Sequence, residues 1–181
     1  MVSLGINYAF LDTQNINLGI RELGWTLDWR KFRAYLAEEH DVSRAFMFVG
    51  FLPAKQNLYL AMANAGFTMV YRPVLSLKSG EPKANIDVDL AMRVMTEYHN
   101  FERAVIATSD GDFYSLIAHL DKSDKLEVVL SPSAESCSAL IKQAAKERLR
   151  FLDTVRPQLE YRARNEKAPP RDRTQGSASS S

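Results

Sequence analysis

The stretch Ala104-Val105-Ile106-Ala107-Thr108-Ser109-Asp110-Gly111-Asp112-Phe113 joins four consecutive apolar residues to two carboxylates one residue apart. A short, unbroken apolar run bounded by turn residues is the pattern of a strand buried on both faces, as in a parallel sheet. In an open α/β sheet, ligands collect beyond the carboxyl ends of the strands, so Asp110 and Asp112 lie where chemistry is usually done. Two readings fit the pair. Ser-Asp-Gly-Asp is good surface-turn chemistry. Carboxylates this close also repel unless a proton, a basic side chain or a hard cation offsets them, and an all-oxygen donor set suits Mg²⁺ or Mn²⁺.

Outward from that stretch the chain alternates strand and helix. Asn7-Tyr8-Ala9-Phe10-Leu11 reads as a first buried strand, followed by a polar loop over Asp12-Thr13-Gln14-Asn15-Ile16-Asn17. Thr26 or Asp28 can cap a helix carrying Trp29, Phe32, Tyr35 and Leu36. A second strand (residues 45–50), a helix (56–65) stopped at Gly66, and a third strand (67–71) continuing into 74–77 come next. A turn over Lys78–Pro82 precedes a helix over 86–99. The fourth strand spans 103–108, followed by a helix over 113–120, a fifth strand over 126–130, a helix from about Ala134 to Ala145, and a last helix from about Lys146 into the 150s. Helices between successive strands mean parallel pairing through right-handed crossovers. The expectation is a three-layer α/β/α domain over residues 1–155 with a mainly parallel central sheet of about five strands.

The 181 residues suffice for one buried domain, and 46% hydrophobic with 25% charged residues is a globular balance. No apolar run reaches the roughly 20 residues that span a bilayer, and residues 1–8 lack a secretory pattern. With Cys137 as the single cysteine, excluding an internal disulfide and a cysteine-built zinc site, these features lead us to expect a cytoplasmic protein without membrane attachment. The net charge of +1 conceals an asymmetry. Residues 156–181 carry six of the 23 basic and three of the 22 acidic side chains, so the preceding body is slightly acidic. That basic, Pro- and Ser-containing segment reads as a largely disordered tail.

Asp12 follows the first strand as Asp110 and Asp112 follow the fourth, so neighbouring strands would bring all three together. In Asn85-Ile86-Asp87-Val88-Asp89-Leu90-Ala91-Met92-Arg93-Val94, Asp87 shares the apolar face of Leu90, Ala91 and Val94, whereas Asp89 shares the outer face of Arg93 and Glu97. Asp87 therefore faces either the crevice or the dipole of its own helix start. Asn15 is a candidate to hold a phosphate, a water or Asp12, or to make an Asx-turn. Lys83 is a candidate phosphate or charge-balancing partner, or a solvated loop lysine. Ser109 is placed to hydrogen-bond within its loop. Phe51 and Tyr59 are stacking candidates that core packing explains equally well. His40, His99 and His119 offer no ligand spacing and read as surface residues.

Taken together, Phe10-Leu11-Asp12-Thr13-Gln14-Asn15, Lys83-Ala84-Asn85-Ile86-Asp87-Val88-Asp89-Leu90-Ala91 and Thr108-Ser109-Asp110-Gly111-Asp112-Phe113 resemble the three signature blocks of the NYN domain family, in its LabA-like branch, within the PIN-like nuclease superfamily. The resemblance covers roughly residues 5–155. It implies a PIN-like fold and a Mg²⁺- or Mn²⁺-dependent ribonuclease, hydrolysing RNA phosphodiesters by metal-assisted attack of water. Position by position, it assigns Asp12, Asp87, Asp110 and Asp112 to the metal site and Asn15 to its support, with single-stranded RNA as substrate and a homodimer or protein partner as a further expectation. One position departs from the pattern: many relatives carry Asp six residues after the position of Asp87, where this chain has Arg93.

Other chemistries lack their signatures. A haloacid-dehalogenase-type phosphatase needs a second acid at Gln14, and neither G-x-G-x-x-G nor a P-loop follows the first strand. The remaining alternative is a non-catalytic RNA- or protein-binding regulatory module that keeps the acidic pocket.

Overall fold

Apolar residues alternate between two faces of each central strand. In β1 (Asn7–Asp12), Ala9 and Leu11 enter one core while Phe10 enters the other. The computed structural model describes residues 6–73, 75–76, 82–83 and 86–162, with the backbone alone at 75–76 and 82–83. After β1 come α1 (Thr13–Glu22), α2 (Trp29–His40), β2 (Val42–Phe51), α3 (Gln56–Asn64) and β3 (Phe67–Pro73). A two-stranded antiparallel ladder, β4 (Leu75–Ser76) with β5 (Pro82–Lys83), leads to α4 (Asp87–Thr96). Then follow β6 (Ala104–Ala107), α5 (Tyr114–Lys122), β7 (Leu126–Ser131), α6 (Ala139–Ala145), β8 (Leu149–Phe151) and α7 (Arg156–Leu159).

The main sheet has the order β3-β2-β1-β6-β7-β8, with every neighbouring pair parallel. The chain builds outward from β1 to one edge, crosses back through α4, and builds outward again from β6. The crevice between β1 and β6 is thus the topological switch point, where α/β sheets bind ligands. One core packs Ile16 and Ile20 of α1, Phe32 and Leu36 of α2 and Met62 of α3 against the sheet. The other packs Leu90 and Val94 of α4, Ile117 and Leu120 of α5 and Ile141 of α6, around Phe10 and Phe46 stacked at 5.3 Å. This is the three-layer α/β/α arrangement expected from the alternation.

Three local readings are corrected. The predicted loop after β1 is the first turn of α1. Asp12 caps it by accepting the Asn15 N–H at 3.3 Å, and the i, i+4 pair Ile16 and Ile20 anchors it, so cap and apolar spacing outweigh the polar composition. The predicted last helix is instead a 3₁₀ turn, β8, a second 3₁₀ turn and the short α7. Lys146, at φ 50° and ψ −119°, ends α6, and the chain then alternates inward Leu149 and Phe151 with outward Arg150. Apolar residues at 149, 152 and 155 fit a helix period as well as this broken path. β8 makes the sheet six strands rather than five. Finally, α6 starts at Ala139 rather than near Ala134, because the Ser138 hydroxyl caps it by accepting the Leu140 N–H.

Past β8 the chain stays on the body. Leu159 is fully buried, its carbonyl accepts the Asp28 N–H at 2.8 Å, and Tyr161 N–H donates to the Thr26 carbonyl at 2.8 Å. Residues 163–181, the greater part of the expected tail, lie outside the described residues, as do residues 78–81 of the expected turn and residues 74 and 77 of the expected third strand's continuation.

Helix α1 docks closely on the segment after β7. A Cβ at Gly19 would stand 2.6 Å from Cγ and 2.9 Å from Cβ of Pro132, a ring unable to swing away. Gly19→Ala is expected to destabilise the fold by about 1–3 kcal/mol despite the better helix propensity of alanine, as read from denaturant midpoints.

Candidate metal centre

Beyond Leu11 and Ala107, the last ladder pair of β1 and β6, side chains join the two strand ends. Thr108, the first residue after β6, is fully buried; its hydroxyl donates to Asp12 Oδ2 at 3.3 Å and accepts the Asp110 N–H at 3.1 Å. Asn15, in the first turn of α1, accepts through Oδ1 both the Ser109 N–H (2.8 Å) and the Ser109 hydroxyl (2.9 Å). Ser109 C=O accepts the Ser138 N–H at 3.1 Å, which brings the start of α6 onto the same loop. Asp110 caps the 3₁₀ turn Gly111–Phe113 by accepting the Asp112 N–H at 3.0 Å. Gly111 permits the close approach of α6: a Cβ there would lie 2.6 Å from Ser138 Oγ, the atom that caps that helix.

Asp87, Asp110 and Asp112 each offer a carboxylate oxygen within 4.8 Å of the others. Asp87 reaches the group as the first residue of α4, the helix that crosses the switch point. Asp112 is exposed, Asp87 and Asp110 are partly buried, and Asp12, only 5% exposed, is the deepest of the four. Asp12 is outside the 4.8 Å group, and both its oxygens accept protein hydrogen bonds. Hard carboxylate oxygens from two separate segments, the start of α4 and the turn after β6, converge at the switch point; they fit Mg²⁺ or Mn²⁺ and are wrong for a soft metal.

The sequence matches the NYN domain over residues 8–150. The chain belongs to the NYN domain family. NYN domains are part of the PIN-like nuclease superfamily, and NYN nuclease domains act on RNA. Among solved structures, a protein of unknown function from Vibrio parahaemolyticus superposes with a TM-score of 0.73 at 18% identity, covering 89% of this chain and 99% of the other. At that identity the likeness establishes the fold alone. No curated protein matches this sequence.

The electrostatics of this NYN site follow from its burial. Asp12 is pushed up to about 6, chiefly by removal from water and further by the charges of Asp87 and Asp110; the hydrogen bonds from Asn15 and Thr108 oppose the rise. Burial likewise raises Asp87, with Asp110 and Asp112 adding repulsion. The folded state therefore holds a proton on Asp12 that the unfolded chain has lost, so stability falls as pH rises from about 4 through about 6. At roughly 1.4 kcal/mol per unit the loss is about 3 kcal/mol.

The other candidate residues divide. Lys83 has its backbone in β5, while its side chain lies outside the described residues. Asp89 is ion-paired, as its outward position implies, but to Arg72 of β3 at 2.6 Å and not to Arg93. Arg93, at the position where many relatives carry an acid, pairs with Glu97 at 3.5 Å and lies over the Phe46 ring at 5.5 Å. Tyr59 is buried, its hydroxyl donating to Gly50 C=O and accepting the Leu52 N–H, whereas Phe51 is 41% exposed. His40 is no surface residue: its side chain is 12% exposed against Tyr35, Glu127 stands 3.8 Å away, and burial holds its protonation below the ordinary histidine value. Thr108 is a functional residue without a motif of its own. The available signal was a hydroxyl residue between an apolar strand and an acidic turn.

Two outcomes are expected. Asn15→Ala leaves the Ser109 N–H and hydroxyl without their acceptor and lowers stability by about 1–3 kcal/mol in chemical denaturation. Adding Mn²⁺ raises Tm by several degrees at pH 7.5 and by much less at pH 5, where Asp12 keeps its proton; Asp12→Asn raises the metal-free Tm at pH 7.5 and flattens its pH dependence.

Proposed function

We propose that this NYN domain, which we assign to the LabA-like branch on its three sequence blocks, is a metal-dependent ribonuclease hydrolysing phosphodiester bonds of single-stranded RNA in the cytoplasm. The observation that carries the reading is the convergence of Asp87, Asp110 and Asp112 within 4.8 Å at the switch point, with Asp12 buried beside them. A divalent cation bound there supplies charge neutralisation and water activation, so the protein needs no side-chain nucleophile.

The residues divide the remaining work. Asp87, Asp110 and Asp112 provide the ligand oxygens. Asp12 adds the fourth negative charge, and its bonds to Asn15 and Thr108 fix its orientation before any ligand arrives. Asn15 and Ser109 lock the β6 loop to α1, setting the acids in position before substrate binds. Lys83, four residues before Asp87, is assigned to the substrate phosphate.

A labelled single-stranded RNA incubated with Mg²⁺ or Mn²⁺ tests this. Cleavage should be abolished by EDTA and reduced about 100-fold or more in Asp110→Asn and Asp87→Asn, with circular dichroism unchanged. Undiminished cleavage in either variant would contradict the site, and RNA binding without any cleavage by the wild type would favour a regulatory module.

A further inference from the structure

On the other face of the sheet from the helix that carries Asp87, a cleft of about 320 Å³ opens between α1 and α3. It begins at Thr13, next in sequence to Asp12. Helix α1 lines it with Gln14, Asn17, Leu18 and Arg21, and α3 with its preceding turn lines it with Lys55, Leu58, Tyr59 and Met62. Each set has i, i+3, i+4, i+7 spacing, so a whole helix face is turned to the cleft from either side. Val49 and Gly50 of β2 contribute to its lining.

We infer that this cleft receives the nucleotide adjoining the scissile phosphate: the base enters between Leu18 and Leu58, and Arg21 and Lys55 hold the flanking phosphates. The inference rests on the ribonuclease reading and extends it to a substrate subsite.

Four observations support it. First, the cleft's charged lining is Arg21 and Lys55 with no acid, and among the described residues neither cation has an acidic partner within 4.0 Å. Two unpaired cations in a cleft that begins one residue beyond Asp12 suit a polyanion whose chain runs on toward the acids. Second, Leu18 and Leu58 remain 48% and 45% exposed although each faces the cleft, leaving apolar surface at the scale of a base. Third, the amides of Gln14 and Asn17 make no hydrogen bond among the described residues and can address the edge of a base. Fourth, the Tyr59 hydroxyl is already committed to Gly50 and Leu52, so its ring is a fixed wall. Recognition by stacking, amides and phosphate contacts requires unpaired bases, which favours single-stranded over duplex RNA.

The test compares wild type with the double variant Arg21→Ala/Lys55→Ala and with a control, Lys122→Ala/Lys142→Ala, on α5 and α6. Cleavage kinetics and fluorescence anisotropy use one labelled single-stranded 12-nucleotide RNA over a range of KCl. The cleft variant should raise KM about tenfold with kcat within about twofold, and flatten the salt slope of binding by about 1.4, the value for two phosphate contacts. The control should match wild type, and Leu58→Asn should weaken binding while leaving the salt slope unchanged. If wild type cleaves RNA and the cleft variant matches it in KM and salt slope, the subsite is overturned while the nuclease stands. If wild type binds RNA without cutting it, anisotropy alone decides: weaker binding by the cleft variant supports the cleft, and equal binding overturns it. No binding by wild type overturns both.

Discussion

The structure depends on one electrostatic constraint: acids crowd the carboxyl ends of β1 and β6, where burial and mutual repulsion oppose charge on Asp12 and Asp87. Polar bonds answer that constraint locally. Thr108 bridges Asp12 to the Asp110 backbone, and Asn15 grips Ser109 through both its N–H and its hydroxyl. The acids themselves also serve as caps, since Asp12 starts α1 and Asp110 starts the turn leading into α5. The site is thus built from the punctuation of the fold, and a substitution there affects stability and chemistry together. A divalent cation bound among these acids would offset the repulsion.

Topology explains why these particular residues meet. Because β1 and β6 are neighbours although some 90 residues apart in sequence, the acid after each strand arrives at one crevice. Helix α4 makes the return crossing, and its first residue is Asp87. The acids thereby occupy the switch point, while the cleft between α1 and α3 opens on the opposite face of β2, beginning one residue beyond Asp12. On this account a strand of RNA passes from the basic, half-apolar cleft to the acid cluster, and affinity and chemistry reside in different elements.

Much of this was legible in the sequence, for physical reasons. The buried strands are near-continuous apolar runs, and β1, β6 and β7 run into Asp12, Thr108 and Ser131, polar residues whose positions need no tertiary knowledge. Asp87 was separable from Asp89 because helical periodicity puts them on different faces; the structure brings the first to the acid group and the second to Arg72. The errors arose where local signals compete. Thr13–Asn17 is polar in composition, yet it folds as a helix because the Asp12 cap and the docking of Ile16 and Ile20 prevail. Leu149, Leu152 and Val155 fit a helical period although the backbone there is first a strand and then a 3₁₀ turn. The partner of Asn15 was unreadable, since Ser109 is 94 residues away and the bond exists only once β1 pairs with β6.

The central claim is that Asp87, Asp110 and Asp112 form a divalent-cation site. Its most direct test is anomalous scattering from crystals soaked in Mn²⁺, which locates the ion without reference to activity. The account predicts an anomalous peak with the carboxylate oxygens of these three residues at about 2.2 Å, absent from Asp110→Asn crystals soaked in the same way. A wild-type map with no peak at the carboxyl ends of β1 and β6, or with manganese bound elsewhere and the three carboxylates turned apart, would contradict it.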